Sequence, residues 1–317
     1  ARRIGDRIEV SCCTQAPYMN RDGLAGILGL APEAVRILPT ATGGGFGSKI
    51  YIYPEEITCL WASKKTGVPV KWVADRTESF LTDAHGRDHV TTIKMAFDAD
   101  NKITALKADT IANLGAYMSL FSSVVPTYLH AILYSGQYVI PAIHCNMRTA
   151  YTNTVPVDAY RGAGRPETTY ALERVVETAA RELGVSPAEL RRKNFIREWP
   201  YQTPVILQYD SGDYEASLDA AMKAADYDGF PERKAEAESR GKKRGIGMSC
   251  YIEACGIAPS NLVGQLGARA GLYESATVRV NATGGLVVMT GSHSHGQGHE
   301  TAFPQVIAEM IGIDESM

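Results

Sequence analysis

The sequence predicts an α+β fold, and three observations carry that prediction. Stretches of strand and helix character mix along the 317 residues without the regular period of a doubly wound βαβ sheet. The chain is 45% hydrophobic, enough for a substantial core and for two domains. Its 30 glycines bunch at 43–47, 162–164 and 291–298, outside the helical runs, so special backbone is confined to loops.

The elements follow in order. RIEVSC (7–12) reads as a strand, followed by a loop around 14–17. Residues 20–29 read as a short helix with Asn20 at its N-cap. Ala31, Pro32 and Glu33 turn the chain into a strand over 35–38. After the first glycine run, Glu55 and Glu56 open a helix that ends at Lys64, Lys65, Thr66 and Gly67, cations before a glycine being a C-terminal signal. PVKWVA (69–74) reads as a strand, and 88–98 with 102–112 as an antiparallel pair about a turn at 99–101. Residues 116–134 are apolar and helical or irregular, and 146–154 form a strand that enters the second glycine loop. A helix over 167–183 precedes another that starts near Ser186, with Pro187 in its first position. A loop over 198–213 leads to a helix over 214–226, and the charged run after Phe230 reads as a solvated helix and turn. Strands are expected over 245–255 and as a hairpin within 273–291, turning through 281–285. The helix TAFPQVIAEMIG (301–312) follows.

Composition excludes several classes. A net charge of -3 and the absence of a Lys/Arg block speak against a nucleic-acid surface. No run approaches about 18 consecutive apolar residues, so no membrane span is expected. The six cysteines form no CxxC pair; Cys12 and Cys13 are adjacent, and four residues separate Cys250 from Cys255. All six are expected to be reduced and non-ligating, which fits the cytoplasm.

The three glycine loops carry the chemistry. Such loops present backbone N–H groups to an anion with no side chain in the way, although a tight structural turn would look the same. GGGFGSK (43–49) matches neither a dinucleotide fingerprint nor a P-loop, since Ser48 precedes Lys49. The second loop adds Arg161 and Arg165, rigid donor forks for an anion or partners in surface ion pairs. The third holds His293, His295 and His299 with Gln297. In an extended segment His293 and His295 point to opposite faces, so hydrogen bonding is a better expectation than a closed metal site. The residues alone thus point to a large polar or phosphorylated cofactor.

In combination the loops go further. CTQAPY (13–18), GGGFGSK (43–49), AYRGAGRPE (159–167) and GQGHET (296–301), supported by KTGVPVKWVADRTESF (65–80), occur in an order and spacing that carry a resemblance. The chain resembles the molybdenum-binding large subunit of the xanthine oxidase family, in the bacterial branch of aerobic carbon monoxide dehydrogenases and aldehyde oxidoreductases. The resemblance implies a molybdopterin-binding domain with mixed sheets and packed helices. It divides the chain into 1–197, the major part of a first cofactor-binding domain; 198–244, a connection; and 245–317, the start of a second.

It also implies molybdopterin cytosine dinucleotide, with molybdenum held through the pterin and not by protein ligands. [2Fe-2S] and FAD groups would sit on partner subunits. Carried over residue by residue, Gln15 would hydrogen-bond a terminal ligand of the molybdenum, while Gly44, Gly45, Phe46 and Gly47 would line the cofactor and substrate cavity. Arg161, with Gly162, Ala163 and Gly164, would border metal and substrate, and Gly296, Gln297 and Gly298 would contact the pterin dinucleotide. Gln15, Phe46 and Arg161 are the expected catalytic residues.

The implied activity is hydroxylation with water as oxygen source and electrons leaving through [2Fe-2S] toward FAD. Three departures shape that expectation. The family's catalytic glutamate belongs to a motif beyond Met317, so the chain reads as a middle piece: a fragment, one chain of a split subunit, or the ordered part of something longer. Residues 160–164 lack the cysteine that binds copper in carbon monoxide dehydrogenases. Ile50 stands where purine-oxidising members place a glutamate, which favours an aldehyde or N-heteroaromatic substrate. A non-catalytic structural subunit and a reductive, acyl-CoA-type molybdenum enzyme are the alternatives.

Overall fold

A computed structural model describes residues 1–254, 264 and 274–315. The chain divides into two compact units, residues 1–83 with 254–317, and residues 84–253. Strands and helices mix in both, as the α+β expectation requires.

In the first unit β1 (Arg2–Ile4), β2 (Arg7–Cys12) and β3 (Val35–Pro39) form one sheet. β1 runs antiparallel to β2, and β3 parallel to it. A parallel neighbour needs a crossover, and α1 (Pro17–Ile27) supplies it. Ile8, Val10 and Val35 of the sheet bury themselves with Leu24 and Ala25 of α1 and Leu60 of α2 (Pro54–Thr66). α2 ends where the sequence predicts, on Gly67 in the left-handed conformation. The parallel register places Cys12 opposite Pro39. CTQAPY and GGGFGSK therefore leave neighbouring strands at the same, carboxyl end of the sheet, the place where open sheets bind ligands. α3 (Arg76–Thr82) follows, and the unit is completed by the antiparallel hairpin of Ala276–Val280 with Leu286–Thr290 and by the helix His299–Ile311.

The second unit is built on β4 (His89–Phe97), β5 (Ile103–Gly115) and β6 (Ile143–Tyr151). β4 and β5 are the predicted antiparallel pair, and β6 joins β5 in parallel. α4 (Arg165–Leu183) and α5 (Pro187–Asn194) supply Leu172, Val176 and Leu190 to a core with Leu106, Tyr138, Ile140 and Phe195. α6 (Tyr214–Ala224) and α7 (Phe230–Ser239) complete the helices. Residues 116–134 are largely irregular, with one π-helical turn at Val125–Leu129.

Several expectations are corrected. α1 starts at Pro17, so Asn20 is a fully buried interior residue and not the cap; Thr14 Oγ1 instead accepts from the Ala16 amide at 3.0 Å. PVKWVA forms no strand, since only Val70 finds a backbone partner, exchanging two hydrogen bonds with Ala1. α3 was not foreseen, although its D-x-x-E signal is plain in retrospect: Asp75 and Glu78 cap one another reciprocally at 2.8 Å. β6 lies three residues earlier than predicted, drawn back by its pairing with β5 from Leu106 onward.

Residues 245–254 also form no strand. Their backbone is taken by side chains: Met248 O by Arg191, Cys250 N by Glu173, and Tyr251 O by Gln137. The remainder of that expected strand, Cys255 included, lies outside the described residues. Cys12, Cys13, Cys59, Cys145 and Cys250 are free thiols.

Candidate functional site

Gln15 is the centre of a knot in the first unit. Its amide donates to Lys49 O at 2.8 Å, and its Oε1 accepts from the amides of Gly47 (2.9 Å) and Lys49 (3.3 Å). One side chain from the loop after β2 thus pins the glycine run after β3. Gly45 is buried against it, and a Cβ there would overlap the Gln15 carboxamide. The Tyr53 hydroxyl, at the start of α2, donates to Ser48 O at 2.9 Å and holds the run from the other side.

The third loop joins the same knot. A Cβ on Gly296 would lie 2.8 Å from Gly44 N and 3.1 Å from Thr42 O, so backbone meets backbone. Among the described residues, none accepts from the amides of Gly43, Gly44 or Gly45. A Cβ on Gly43 would meet nothing within 4 Å, whereas one on Gly44 would meet the Phe46 ring and one on Gly45 the Gln15 carboxamide. Phe46 has a left-handed φ of 53°, and its ring lies over Gly44, half exposed. Gln15, Gly44, Gly45, Phe46 and Gly47 are therefore brought together with Gly296 and its neighbours Gln297 and Gly298.

The histidines of the third loop are hydrogen-bonding groups. His293 Nε2 donates to Thr14 O at 3.0 Å, and His295 Nε2 lies 3.3 Å from Gln15 Nε2 and 3.1 Å from Gln297 Nε2. The two rings do not point to opposite faces: residues two apart share a face of an extended segment, and the ring centroids are 5.7 Å apart. Among the described residues no three His, Cys, Asp or Glu side chains are grouped to hold a metal ion.

Arg161, Gly162 and Ala163 belong to the second unit, in the turn that launches α4. Gly162, Ala163 and Gly164 all have positive φ, 97°, 42° and 88°. The Arg161 carbonyl accepts from the guanidinium of Arg87, which lies over the Tyr160 ring at 4.9 Å and 3.9 Å from Glu167. Burial raises the Glu167 carboxyl above its ordinary range. No local signal marks Arg87 as a partner of the Arg161 turn or Thr14 as a partner of His293, since these pairs are distant in sequence.

Beneath Gly164 sits a buried histidine. His130 Nδ1 faces Gly164 O (3.3 Å) and Thr168 Oγ1 (3.1 Å), while Nε2 accepts from the Tyr134 hydroxyl at 2.8 Å. Burial, with the neighbouring His89 adding to it, lowers its pKa to about 3. The unfolded chain takes up this proton near pH 6.5, so the stability contributed by neutral His130 is lost as pH falls from there toward 3. We expect His130→Gln to flatten that acid dependence, read from denaturant midpoints between about pH 7 and about pH 4.

Comparisons with known proteins identify the family. Residues 2–195 and residues 220–317 each match a molybdopterin cofactor-binding domain. The chain is 35% identical over 310 residues to the nicotine 6-hydroxylase large subunit of Paenarthrobacter nicotinovorans, covering 97% of this chain and 38% of that protein. It is 37% identical over 313 residues to the carbon monoxide dehydrogenase large chain of Hydrogenophaga pseudoflava, covering 95% and 38%. The structure of quinoline 2-oxidoreductase from Pseudomonas putida 86 matches with a TM-score of 0.89 at 32% identity, over 98% of this chain and 40% of that one. The chain thus spans 38% of the length of these two curated relatives. With its family match, its relatives and its fold in agreement, the chain belongs to the xanthine oxidase family of molybdopterin-binding proteins.

Proposed function

We propose that this chain forms the cofactor-binding part of a molybdenum hydroxylase that oxidatively hydroxylates an N-heteroaromatic carbon or an aldehyde. The observation that carries the reading is the convergence of Gln15, the GGGFGSK run and the GQG segment, with the amides of Gly43, Gly44 and Gly45 left without an acceptor among the described residues. Neutral amide donors and a clear approach suit a bulky anionic pterin dinucleotide. Gly44, Gly45, Gly47, Gly296, Gln297 and Gly298 would hold the group, together with Gly162 and Ala163 of the Arg161 turn. Residues 1–197 and 245–317 would then belong to two cofactor-binding domains linked by 198–244.

When bound, the molybdenum centre supplies the two-electron oxidation and delivers oxygen from water to carbon. The residues of this chain orient and exclude. Phe46 offers a flat apolar wall, Arg161 a cation for developing negative charge, and Ile50 an apolar side chain where purine-oxidising members place a glutamate. Aromatic nitrogen heterocycles are named for two of the relatives, nicotine and quinoline. The Arg161 turn holds no cysteine for copper, so carbon monoxide oxidation is not proposed. [2Fe-2S] and FAD subunits would take the electrons, and a further segment or chain would contribute the glutamate.

The test is elemental and nucleotide analysis of the native complex, followed by assays in ¹⁸O-labelled water with N-heteroaromatics and aldehydes. Molybdenum with a pterin dinucleotide, and label in the product, are expected; an assembled complex without molybdenum overturns the reading. Arg161→Met should retain the cofactor and lower kcat by roughly 100-fold, the range for removing one transition-state donor.

A further inference from the structure

We infer that His295 is a positioning residue that ties Gln15 to Gln297, and that it does so only as a neutral imidazole. The inference rests on the reading of these loops as cofactor-binding, and it gives that site a sensitivity to acid.

The donors settle which way each carboxamide points. Gln15 Oε1 lies against the amides of Gly47 and Lys49, both of which can only donate, so its Nε2 is the atom turned to His295. The amide of His295 donates to Gln297 Oε1 at 2.6 Å, so Gln297 Nε2 is likewise the atom turned to the ring. Two amino groups, at 3.3 and 3.1 Å, thus converge on His295 Nε2. Gln297 Nε2 also lies 3.4 Å from Nδ1, so the Gln15 contact decides the tautomer: a carboxamide nitrogen only donates, Nε2 must accept from it, and the single proton of the neutral imidazole resides on Nδ1. The result is a continuous chain of hydrogen bonds from the glycine run through Gln15 and His295 to Gln297, closed by the His295 amide.

Protonation breaks the chain. A second N–H would point at two amino groups, none of them able to accept, and both carboxamides would have to withdraw. The His293 backbone, hydrogen-bonded to the ring, favours the added charge, but burial and the like-charged neighbours outweigh it. His293 and His299 are like-charged when protonated, and the Glu300 carboxylate is engaged by Ser294 Oγ at 3.1 Å. On the Gln15 side the ring meets the Thr14–Gln15 segment, where Thr14 O is taken by His293 and the Cys13 thiol by Thr40. On the glycine run Lys49 adds a further cation, placed over the Tyr53 ring at 5.8 Å. Burial and the two histidines lower the His295 pKa below its ordinary 6.5. With a depressed folded pKa, the tie is complete above about pH 6.5 and is lost as pH falls below it.

The test uses the full-length native protein, with hydrogen exchange followed over residues 43–49 and 296–298 between about pH 5 and 8 after correction for intrinsic rates. Molybdenum retained after gel filtration is counted alongside. His295→Phe fills the space but cannot accept; we expect roughly ten-fold faster exchange in both segments at every pH, and weaker molybdenum retention. His295→Gln offers a carbonyl acceptor that does not titrate; it should keep neutral-pH protection and abolish the loss in acid. Unchanged protection in His295→Phe, or an acid loss in His295→Gln equal to that of the wild type, overturns the inference. If exchange follows His295 in a native protein that carries no molybdenum, the tie is upheld and the functional reading alone fails.

Discussion

Gly296→Ala should abolish cofactor loading and lower stability together. The new methyl would lie 2.8 Å from Gly44 N and 3.2 Å from Gly44 Cα. Both are backbone atoms, so no rotamer change relieves the overlap. Gly296 also holds a φ of 110°, a conformation that costs a residue with a Cβ about 1–3 kcal/mol. The cheapest relief is for the GQG segment to move away from the glycine run, which separates the two sets of backbone that face the proposed cofactor. Molybdenum per chain is expected to fall at least roughly ten-fold, since a rise of about 1.4 kcal/mol in the cost of closing the site is enough for that.

Gly43→Ala is the informative partner. Its φ is not in the left-handed region, and its Cβ would meet nothing within 4 Å. The fold should accept it with a change in stability of about 0.5 kcal/mol or less, typical of a substitution that touches nothing. The methyl would nevertheless project into the open space beside the glycine run, so loading should fall while Tm holds. Elemental analysis with a thermal scan separates the two variants. Equal loading in Gly43→Ala and the wild type would mean that the cofactor does not approach this run.

The contrast between these glycines explains what the sequence reveals of the site and what it hides. Glycine clusters are visible in one dimension because few other reasons exist for three consecutive residues without side chains. That they meet is visible only through the parallel pairing of β2 and β3, which sets Cys12 beside Pro39 and releases two loops together. The residues that hold the loops were not legible: Tyr53 reaches Ser48 within its own segment, but Thr14 receives His293 from 279 residues away and Arg87 reaches Arg161 across 74. Their types are ordinary and their partners are fixed by tertiary packing. Secondary structure failed for related reasons. Asn20 looks like a helix cap, yet Pro17 had already begun α1. GIGMSCYIEA (245–254) looks like a strand, yet its backbone groups bond to side chains.

Those side chains define the second large effect. Arg191→Met should destabilise the unit of residues 84–253 by about 3–5 kcal/mol, the usual consequence of removing one partner of a buried ion pair. Arg191 is fully buried and forks onto Glu173 Oε2 from Nε (3.1 Å) and Nη2 (2.9 Å). It also reaches Glu177 at 3.2 Å and the carbonyls of Pro187 and Met248 at 3.0 and 3.2 Å. One side chain therefore joins α4, α5 and the segment before residue 254. Without it Glu173, itself only 5% exposed, keeps hydrogen bonds from the Tyr138 hydroxyl and the Cys250 amide but no countercharge. Tyr138 supplies no countercharge and remains a neutral hydrogen-bond donor, because burial first and the Glu173 charge second hold its pKa well above the ordinary value. A Tm fall on the order of 10 °C is expected. Arg191→Lys should recover only part of it, since a single ammonium cannot reproduce the fork. Arg191→Met combined with Glu173→Leu should be more stable than Arg191→Met alone, because the stranded charge is gone. If the double variant proves no better than the single, the cost lies in the lost anchoring of Met248 and Glu177, and the charge of Glu173 is not what Arg191 is there to balance.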